Sequence, residues 1–412
     1  MPFMKSVSIG IDVGTTLITT AVIKSDKTGK PRLLALAKTP SRGVRKGTVI
    51  EPSELAPAIK VSVAEASKIS GFRIKSAVVG FSGAGVASSL SRGVVAISRP
   101  DGEITGEDIK RVMQAAEALH PKNLNREIIH MIPREYRVDH ERGIKNPIGM
   151  AGMRLEVDAL IIDAQKTALQ NMVRAFDMAG VEVEDWLFSP VAAAEAVLSQ
   201  RQKELGVMLL DIGGGTTDYA IFSEGELVDA GLIPLGGEHI SHDIALGFKT
   251  HIDVAEAVKL RYGQVVPDVF SKRDVITLTE FSGDDESVYS QKELAEIIQA
   301  RVTDILELAQ KALRRAGADN RLPGGVVVIG GSALFPGLKE FVKKEMRLPV
   351  ERGVVQAIEL PVSLGAGINV AVSLGLGLWH LREGGASSGR YFPPVFGKAA
   401  SGLRSWLKMF LP

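Results

Sequence analysis

The sequence predicts an α/β protein made of two related lobes, each carrying an inserted subdomain. Two glycine turns of the same design support this prediction: residues 9–16 and 209–218 each run from an apolar strand through an aspartate and glycine to threonines. They lie about two hundred residues apart in a chain of 412 residues, which is long enough for two to four domains. A third glycine turn, at 330–338, follows another apolar strand. The repetition favours a duplicated fold whose halves close on one ligand.

Composition limits the possible functions. Apolar residues make up 45% of the chain and charged residues 24%, as in ordinary soluble proteins. The net charge of +1 gives no sign of a nucleic-acid partner, and the lack of cysteine excludes disulfides and thiolate chemistry. The first residues lack the apolar core of a signal peptide. The apolar stretch 362–378 contains four glycines, so we predict a buried segment there rather than a membrane span.

The elements of the first half follow from its apolar pattern. Alternating residues predict a hairpin within 6–23 and a third strand at 33–37. Apolar residues at helical spacing predict a helix from Ser53, followed by a strand at 77–81. Residues 84–162 differ in pattern and are predicted to be an α+β insertion. Its elements are strands near 94–97, 126–139 and 153–162 and a helix near 105–119 with Thr105 as its N-cap.

The second half repeats the plan of the first. Its predicted elements are strands at 207–211, 219–222, 227–235 and 325–331 and helices near 238–248, 253–261, 291–315, 338–344 and 363–381. The predicted segments are the first lobe (1–83 and 163–200) with its insertion (84–162), the second lobe (201–239 and 316–381) with its insertion (240–315), a linker (382–398) and a terminal helix (399–412).

The two matching turns are the predicted phosphate-binding elements. Glycine has no Cβ to block a ligand, so consecutive backbone N–H groups can surround an anion. Asp12 and Asp211 would face a divalent cation, Mg²⁺, through water. Either turn alone could equally be a tight β-turn without a ligand. The candidate residues are Asp12, Gly14, Thr15 and Thr16 in the first turn and Asp211, Gly213, Gly214, Gly215, Thr216 and Thr217 in the second.

Three further groups extend the predicted site. Gly330, Gly331 and Ser332 form a turn bare enough for a flat base to lie against the backbone, although an ordinary strand-to-helix loop is the alternative. Glu256 and Lys259 share a helix face and could hydrogen-bond a ribose, or form a solvated surface pair. His239 and His242 have no evident third metal ligand and are predicted to be structural.

The last twelve residues predict a basic amphipathic helix that lies in a membrane interface. Its apolar residues recur at i, i+3, i+4 and i+7, and its basic residues lie elsewhere. Because one copy buries little apolar area, durable attachment would need many linked copies. The alternative is a helix docked on the parent domain. The residues predicted to contact lipid are Leu403, Arg404, Trp406, Leu407, Lys408 and Phe410.

These motifs together resemble the superfamily of actin, hexokinase and heat-shock chaperones, and within it the FtsA family of bacterial cell-division proteins. The resemblance covers essentially the whole chain and is carried by residues 133–136, 146–150, 211–218, 255–259 and 405–407. It implies an actin-like fold with lobes 1A and 2A, an insertion 1C at 84–162, and an insertion 2B at about 240–315. It also implies ATP and Mg²⁺ as ligands.

The resemblance further implies partners and a location. A protein of this family would polymerise into filaments through contacts that include 1C, and would bind the C-terminal tail of FtsZ through 2B. It would tether FtsZ filaments to inner-membrane lipids on the cytoplasmic face at the division site, together with other division proteins.

Two departures from the family pattern concern the phosphates. Leu17 stands where many members carry lysine, which would weaken a γ-phosphate contact. Ser189 precedes Pro190 where related chaperones and bacterial actins have a glutamate that activates water, and serine is a poor general base without a partner. We therefore expect tight ATP binding with slow or negligible hydrolysis.

Three other readings remain open from the sequence. A small-molecule kinase of the same superfamily would need a catalytic aspartate facing a substrate cleft. An actin-like adaptor such as PilM of type IV pilus assembly would share the phosphate turns but generally lack the terminal helix. A seventy-kilodalton chaperone would need a β-sandwich domain for which the chain has no candidate.

Overall fold

The computed structural model describes residues 7–383, apart from positions 84, 122, 124, 272, 284–285, 320–321, 362–364 and 366. The predicted linker after residue 383 and the predicted terminal helix, with its lipid-contacting residues, lie outside these described residues. Within the described part of the chain, no helix is both long enough and apolar enough to cross a membrane.

The first lobe opens with a three-stranded meander and a helix, as predicted. Proline at the first turn starts the helix, and Gly71, at a φ of 73°, ends it in the left-handed conformation. A short hairpin before this helix was not predicted. The elements are β1 (Val7–Val13), β2 (Leu17–Ser25), β3 (Pro31–Pro40), β4 (Val44–Arg45), β5 (Thr48–Val49), α1 (Pro52–Ser70) and β6 (Ser76–Phe81).

The insertion is an antiparallel sheet covered by one helix. Its elements are β7 (Ala87–Ala96), α2 (Gly106–Leu119), β8 (Arg126–Val138), β9 (Glu141–Ile144) and β10 (Arg154–Gln165), with strand order β7-β10-β8-β9. Thr105 caps α2 as predicted, and its backbone N–H donates to Asp108 Oδ2 at 2.9 Å. Ile109, Val112 and Leu155 belong to a small hydrophobic core of its own.

The chain then completes the first lobe and forms the second. The elements that follow the insertion are α3 (Lys166–Ala179), β11 (Glu182–Phe188), α4 (Ser189–Val197) and α5 (Gln200–Leu205). The second lobe contains β12 (Val207–Ile212), β13 (Thr217–Ser223), β14 (Glu226–Ile233), α6 (Gly237–Gly247), α7 (Ile252–Tyr262), β15 (Val275–Thr277), α8 (Thr279–Ser282), β16 (Val288–Ser290), α9 (Gln291–Arg315), β17 (Val326–Ile329), α10 (Leu338–Met346), β18 (Val350–Arg352) and α11 (Ala371–Glu383). Short 3₁₀ helices lie at Pro267–Val269 and Gly331–Leu334.

The two main sheets have the same topology, which confirms the predicted duplication. The first has the order β3-β2-β1-β6-β11 and the second the order β14-β13-β12-β17-β18. In each, the first three strands along the chain are antiparallel and the last two join in parallel. The glycine turns follow the central strands β1 and β12, so each turn lies at the carboxyl end of its sheet's middle strand.

The last helix differs from its prediction in start and in partner. It begins at Ala371 rather than near 363, because Gly365 and Gly367 have φ values of 54° and 66°, outside the helical range. It packs against the first lobe, although the predicted boundary placed it with the second. A Cβ on Gly10 of β1 would lie 2.2 Å from the Ser373 carbonyl oxygen, so glycine lets helix and strand approach closely.

Candidate functional site

The two glycine turns face one cleft of about 800 Å³ between the lobes. In the first turn the Gly14 N–H donates to the Leu17 carbonyl at 2.9 Å, and in the second the Gly213 N–H donates to the Thr216 carbonyl at the same distance. Each turn is therefore closed by a bond that spans three residues. The structure thus brings the predicted turns together from the two lobes.

The turns approach each other so closely that a side chain would not fit between them. A Cβ on Gly214 would lie 2.7 Å from Thr16 Cγ2. A Cβ on Gly215 would lie 2.5 Å from Thr15 Oγ1. Glycine is needed at both positions because the opposite lobe occupies the space.

The structure places all but one of the predicted phosphate-binding residues on the cleft wall. The exception is Thr217, which is fully buried and whose hydroxyl donates to the Leu235 carbonyl at 2.8 Å. Thr217 begins strand β13, where successive side chains point to opposite faces, so Thr216 faces the cleft and Thr217 does not. The residues on the wall are Asp12, Gly14, Thr15, Thr16, Asp211, Gly213, Gly214, Gly215 and Thr216.

The third glycine turn also borders the cleft, with Gly330, Gly331 and Ser332 in its wall. Gly330 has a φ of 88°, and a Cβ there would lie 2.4 Å from Asp211 Oδ1, so only glycine fits beside this carboxylate. A Cβ on Gly331 would meet no atom within 4 Å, which leaves its cleft side open. The predicted contact of a flat base with this turn therefore meets no steric obstacle at the position of a Gly331 Cβ.

Glu256 and Lys259 share one face of α7 and point into the cleft, as their spacing predicts. Lys259 is only 7% exposed, and its Nζ donates to Glu256 Oε2 at 2.5 Å, to Ser241 Oγ at 2.8 Å and to the Gly237 carbonyl at 3.0 Å. The pair is thus part of an ordered polar network rather than a solvated surface pair.

Three buried carboxylates, those of Asp12, Asp211 and Asp218, lie close together in the wall of the cleft. Burial raises the pKa of Asp12 to about 7. Burial and the charges of Asp218 and Asp12 raise the pKa of Asp211 well above its usual range. Burial, with a contribution from the charge of Asp12, raises the pKa of Asp218 to about 7, although the Ser82 hydroxyl acts in the opposite direction.

The arrangement of these carboxylates fits a cation that is bound through water. Asp218 Oδ1 is buried and has no hydrogen-bond partner among the described residues. Within the same described ranges, no group of three or more His, Asp or Glu side chains is placed to hold a metal ion directly. Mg²⁺ prefers oxygen ligands such as these carboxylates and usually keeps several of its waters.

The remaining predicted residues have clear positions. Ser189 lines the cleft close to Asp12: a Cβ on Gly80 would lie 3.1 Å from Ser189 Oγ and 3.3 Å from Asp12 Oδ1. His239 Nδ1 accepts a hydrogen bond from the Gly236 N–H at 3.2 Å. His242 Nδ1 donates to the Glu238 carbonyl at 2.8 Å. Both histidines therefore make local contacts in α6.

Sequence reasoning missed two parts of the site. Asp218 was recognised in the turn motif but not as a site residue, although alternation along β13 from Thr216 could have identified it. The apolar side of the cleft, formed by Ile252, Leu260 and Leu334, was also missed. Leu260 is 75% exposed and Leu334 is 54% exposed, so both offer apolar surface at this side of the cleft.

Comparisons with known proteins identify the family. Residues 208–374 match the family model described as "Cell division protein FtsA", and residues 83–163 match the "SHS2 domain inserted in FTSA". The second match falls where the sequence predicted an insertion.

Several curated relatives named "Cell division protein FtsA" match most of the chain. The Bacillus subtilis (strain 168) protein is 37% identical over 80% of this chain and 74% of its own length. The protein of Borreliella burgdorferi is 36% identical over 86% of both chains, and that of Escherichia coli (strain K12) is 30% identical over 84% of this chain and 83% of its own.

Solved structures establish that the fold is actin-like. The structure titled "PilM-PilN type IV pilus biogenesis complex" has a TM-score of 0.65 at 19% identity and covers 91% of this chain and 98% of its own. MreB5 of Spiroplasma citri bound to ADP has a TM-score of 0.53 at 16% identity, covering 92% and 98%. At these identities the likeness concerns the fold alone, whereas the relatives at 30–37% identity decide the family. The chain belongs to the FtsA family of cell-division proteins.

Proposed function

We propose that this chain is an ATP-binding, actin-like protein that polymerises at the inner membrane and tethers FtsZ filaments there through its C-terminal amphipathic helix. The observation that carries the nucleotide part is the meeting of two glycine turns, one from each lobe, beside three buried carboxylates in one cleft. Membership of a cell-division family supports the partners and the location.

Each part of the cleft would bind a different part of the nucleotide. The backbone N–H groups of the turns at Gly14 and Gly213–Gly215 would donate to the β- and γ-phosphates, and the Thr15, Thr16 and Thr216 hydroxyls would add hydrogen bonds. Asp12 and Asp211, with Asp218 beside them, would orient the waters of Mg²⁺. When ATP is bound with Mg²⁺, its γ-phosphate can favour one conformation of the protein, and the loss of this phosphate can favour another.

The nucleoside would lie toward the second lobe. Glu256 would accept hydrogen bonds from the ribose hydroxyls, and Lys259 would exchange one of its three present hydrogen bonds for a bond to a ribose oxygen. The base would lie against the open backbone of Gly331, and Leu260 and Leu334 would be covered by it. The exposure of these two leucines then has a physical reason, because a bound base removes them from water.

Hydrolysis is expected to be slow or negligible. The residue at the start of α4 is Ser189, whose hydroxyl lies beside Asp12 but cannot act as a strong base by itself. The nucleotide would therefore act as a conformational switch for polymerisation more than as a fuel. A turnover of several ATP per second would refute this part.

Vesicle co-sedimentation tests the membrane part. With ATP and Mg²⁺, the full chain should sediment with vesicles that contain anionic lipid, and a chain without residues 399–412 should stay in solution while still binding ATP. Leu407→Glu should release the protein, whereas Ser405→Glu, the same charge change on the opposite helix face, should release it far less. Equal release by both variants, or full binding after the deletion, would contradict the proposal.

Binding to FtsZ is the part of the proposal that separates it from a pilus-assembly adaptor of the PilM type, the alternative left open by the sequence. Binding of a labelled FtsZ C-terminal peptide separates the two. We expect the peptide to bind the full chain through insertion 2B, at 240–315, and a failure to bind would favour the adaptor.

A further inference from the structure

The geometry points to Lys46, at the tip of the β4–β5 hairpin, as the cation that contacts the terminal phosphate of a bound nucleoside triphosphate from the first lobe. This inference rests on the proposed nucleotide site. Leu17 lines the cleft as an apolar residue and supplies no charge there, and Gly47, the neighbour of Lys46, lines the same wall.

The hairpin tip touches both phosphate turns. The Gly47 N–H donates to Thr15 Oγ1 of the first turn at 3.0 Å, and Gly47 itself lines the cleft. On the other side, a Cβ on Gly215 of the second turn would lie 2.9 Å from the Lys46 Cα. The backbone of Lys46 therefore lies at the place where the two turns meet.

The hairpin tip has a lysine at a position whose backbone conformation disfavours this residue. Arg45 pairs with Thr48, so Lys46 and Gly47 form a two-residue turn, with φ values of 49° and 69°. Hairpin turns with positive φ at both central residues favour asparagine or glycine at the first of them. A lysine in the left-handed conformation is uncommon and mildly strained, and here it stands where the two turns meet, unlike Lys249 and Arg347, which have similar φ values outside the cleft wall.

Charge in the cleft also favours a role for this lysine. The wall carries the carboxylates Asp12, Asp211, Asp218, Glu238, Asp253 and Glu256. The ammonium of Lys259, on the same wall, is already engaged by Glu256. A polyphosphate would therefore enter a cleft rich in negative charge and would need a further cation besides Mg²⁺.

The side chain of Lys46 is available for this contact. It is exposed, and it forms no ion pair or side-chain hydrogen bond with any part of the chain that the structure describes. The charge of Lys46 also acts on His239 of the second lobe. The pKa of this histidine is lowered mainly by burial and further by the positive charge of Lys46. A charged contact to a phosphate oxygen is among the stronger hydrogen bonds of proteins.

Isothermal titration of the full chain with ATP and with ADP, each with Mg²⁺, tests the inference. Lys46→Ala should weaken ATP binding at least about tenfold and change ADP binding less than about twofold, because only ATP has the terminal phosphate. Lys46→Arg should keep most of the ATP affinity. Arg42→Ala, which removes an exposed cation just before the hairpin, should change neither.

A glycine variant separates the charge from the fold of the turn. Lys46→Gly relieves the left-handed strain, so we expect a higher unfolding temperature together with the same loss of ATP affinity. The inference is overturned if Lys46→Ala weakens ATP and ADP equally, if it weakens neither, or if Lys46→Gly retains full ATP affinity. A folded wild-type chain that binds no ATP would overturn the proposed function itself, which is a different result from any of these.

Discussion

The two phosphate turns close in the same way but differ in how much glycine they contain. Each turn is closed by one backbone hydrogen bond of 2.9 Å between residues three positions apart in the sequence. The first turn has a single glycine followed by two threonines, whereas the second has three glycines. Thr15 and Thr16 of the first turn project onto Gly214 and Gly215 of the second. The extra glycines are thus required by the facing lobe as much as by any ligand.

The lobes also differ in what they carry around the same sheet. The first lobe holds the hairpin, an insertion with its own core, and the last helix of the chain. The second lobe holds the open glycine turn, the Glu256–Lys259 pair and the exposed leucines. Both lobes would therefore recognise phosphate through their glycine turns, whereas the nucleoside would be recognised by the second lobe alone. The following changes test this division.

The largest effect is expected where the turns touch. Gly215→Ala places a Cβ 2.5 Å from Thr15 Oγ1 and 2.9 Å from the Lys46 Cα, so the turns must separate. We expect Mg-ATP affinity to fall about 10- to 100-fold, as measured by isothermal titration. Gly106→Ala is the control, because a Cβ there meets no atom within 4 Å, and its affinity should equal that of the wild type.

The carboxylates of the cleft should lower the free energy of unfolding when no cation is bound. Asp218→Asn removes one of three mutually repelling buried charges, so the free energy of unfolding at pH 8 without Mg²⁺ should rise by about 1–3 kcal/mol. The same variant should bind Mg-ATP more weakly. Urea unfolding measures the first effect, and an unchanged or lower stability would mean that these charges are already compensated.

The joint between the first lobe and its insertion should be sensitive to acid. His130 Nε2 accepts a hydrogen bond from the Phe188 N–H at 2.9 Å, and burial lowers the pKa of this histidine to about 4. His130 binds a proton more readily in the unfolded chain than in the folded one. Its contribution to the free energy of unfolding is therefore fully present above about pH 6.5 and is lost as the pH falls toward 4.

We expect about 1–2 kcal/mol of this stability to be lost between pH 6.5 and pH 5. His130→Gln keeps a side-chain acceptor but cannot titrate, so urea unfolding of this variant should have a smaller pH slope than the wild type. Identical slopes would show that His130 has the same pKa in the folded and the unfolded chain, which would contradict the expectation.

The smallest effect is expected at the ribose. Glu256→Gln keeps the shape of the side chain but weakens its bonds to Lys259 and Ser241. We expect ATP and ADP affinity to fall by the same factor of about 3 to 10, since both nucleotides have the ribose. A loss for ATP alone would place this residue near the phosphates and would break the division between the lobes.

The sequence predicted most of this fold because its local signals agree with the final structure. The Thr105–Asp108 capping box and the glycine-bounded helices are visible in residue order alone. The start of α11 was wrong because Gly365 and Gly367 interrupt an apolar stretch that otherwise looks helical. Its packing on the first lobe depends on contacts between residues far apart in the chain, such as Gly10 and Ser373, which no local pattern encodes.

The sequence predicted the glycine turns of the candidate site more completely than the residues that surround them. Glycines at the ends of strands are strong local signals, and nine of the predicted turn residues line the cleft. The side chain of Thr217 does not line the cleft, because consecutive strand residues face opposite sides. Leu260 and Leu334 come from separate elements that meet only in three dimensions, and Lys46 lies in a hairpin too short to give a periodic signal.

The most direct test of the central claim is isothermal titration of Mg-ATP into the full chain, with Gly14→Val and Gly215→Val as companions. If the two turns form one site, the wild type should bind a single nucleotide per chain, and either substitution should weaken that same binding event. The account would be contradicted by a folded protein that gives no binding heat, or by two binding events of which each substitution removes only its own.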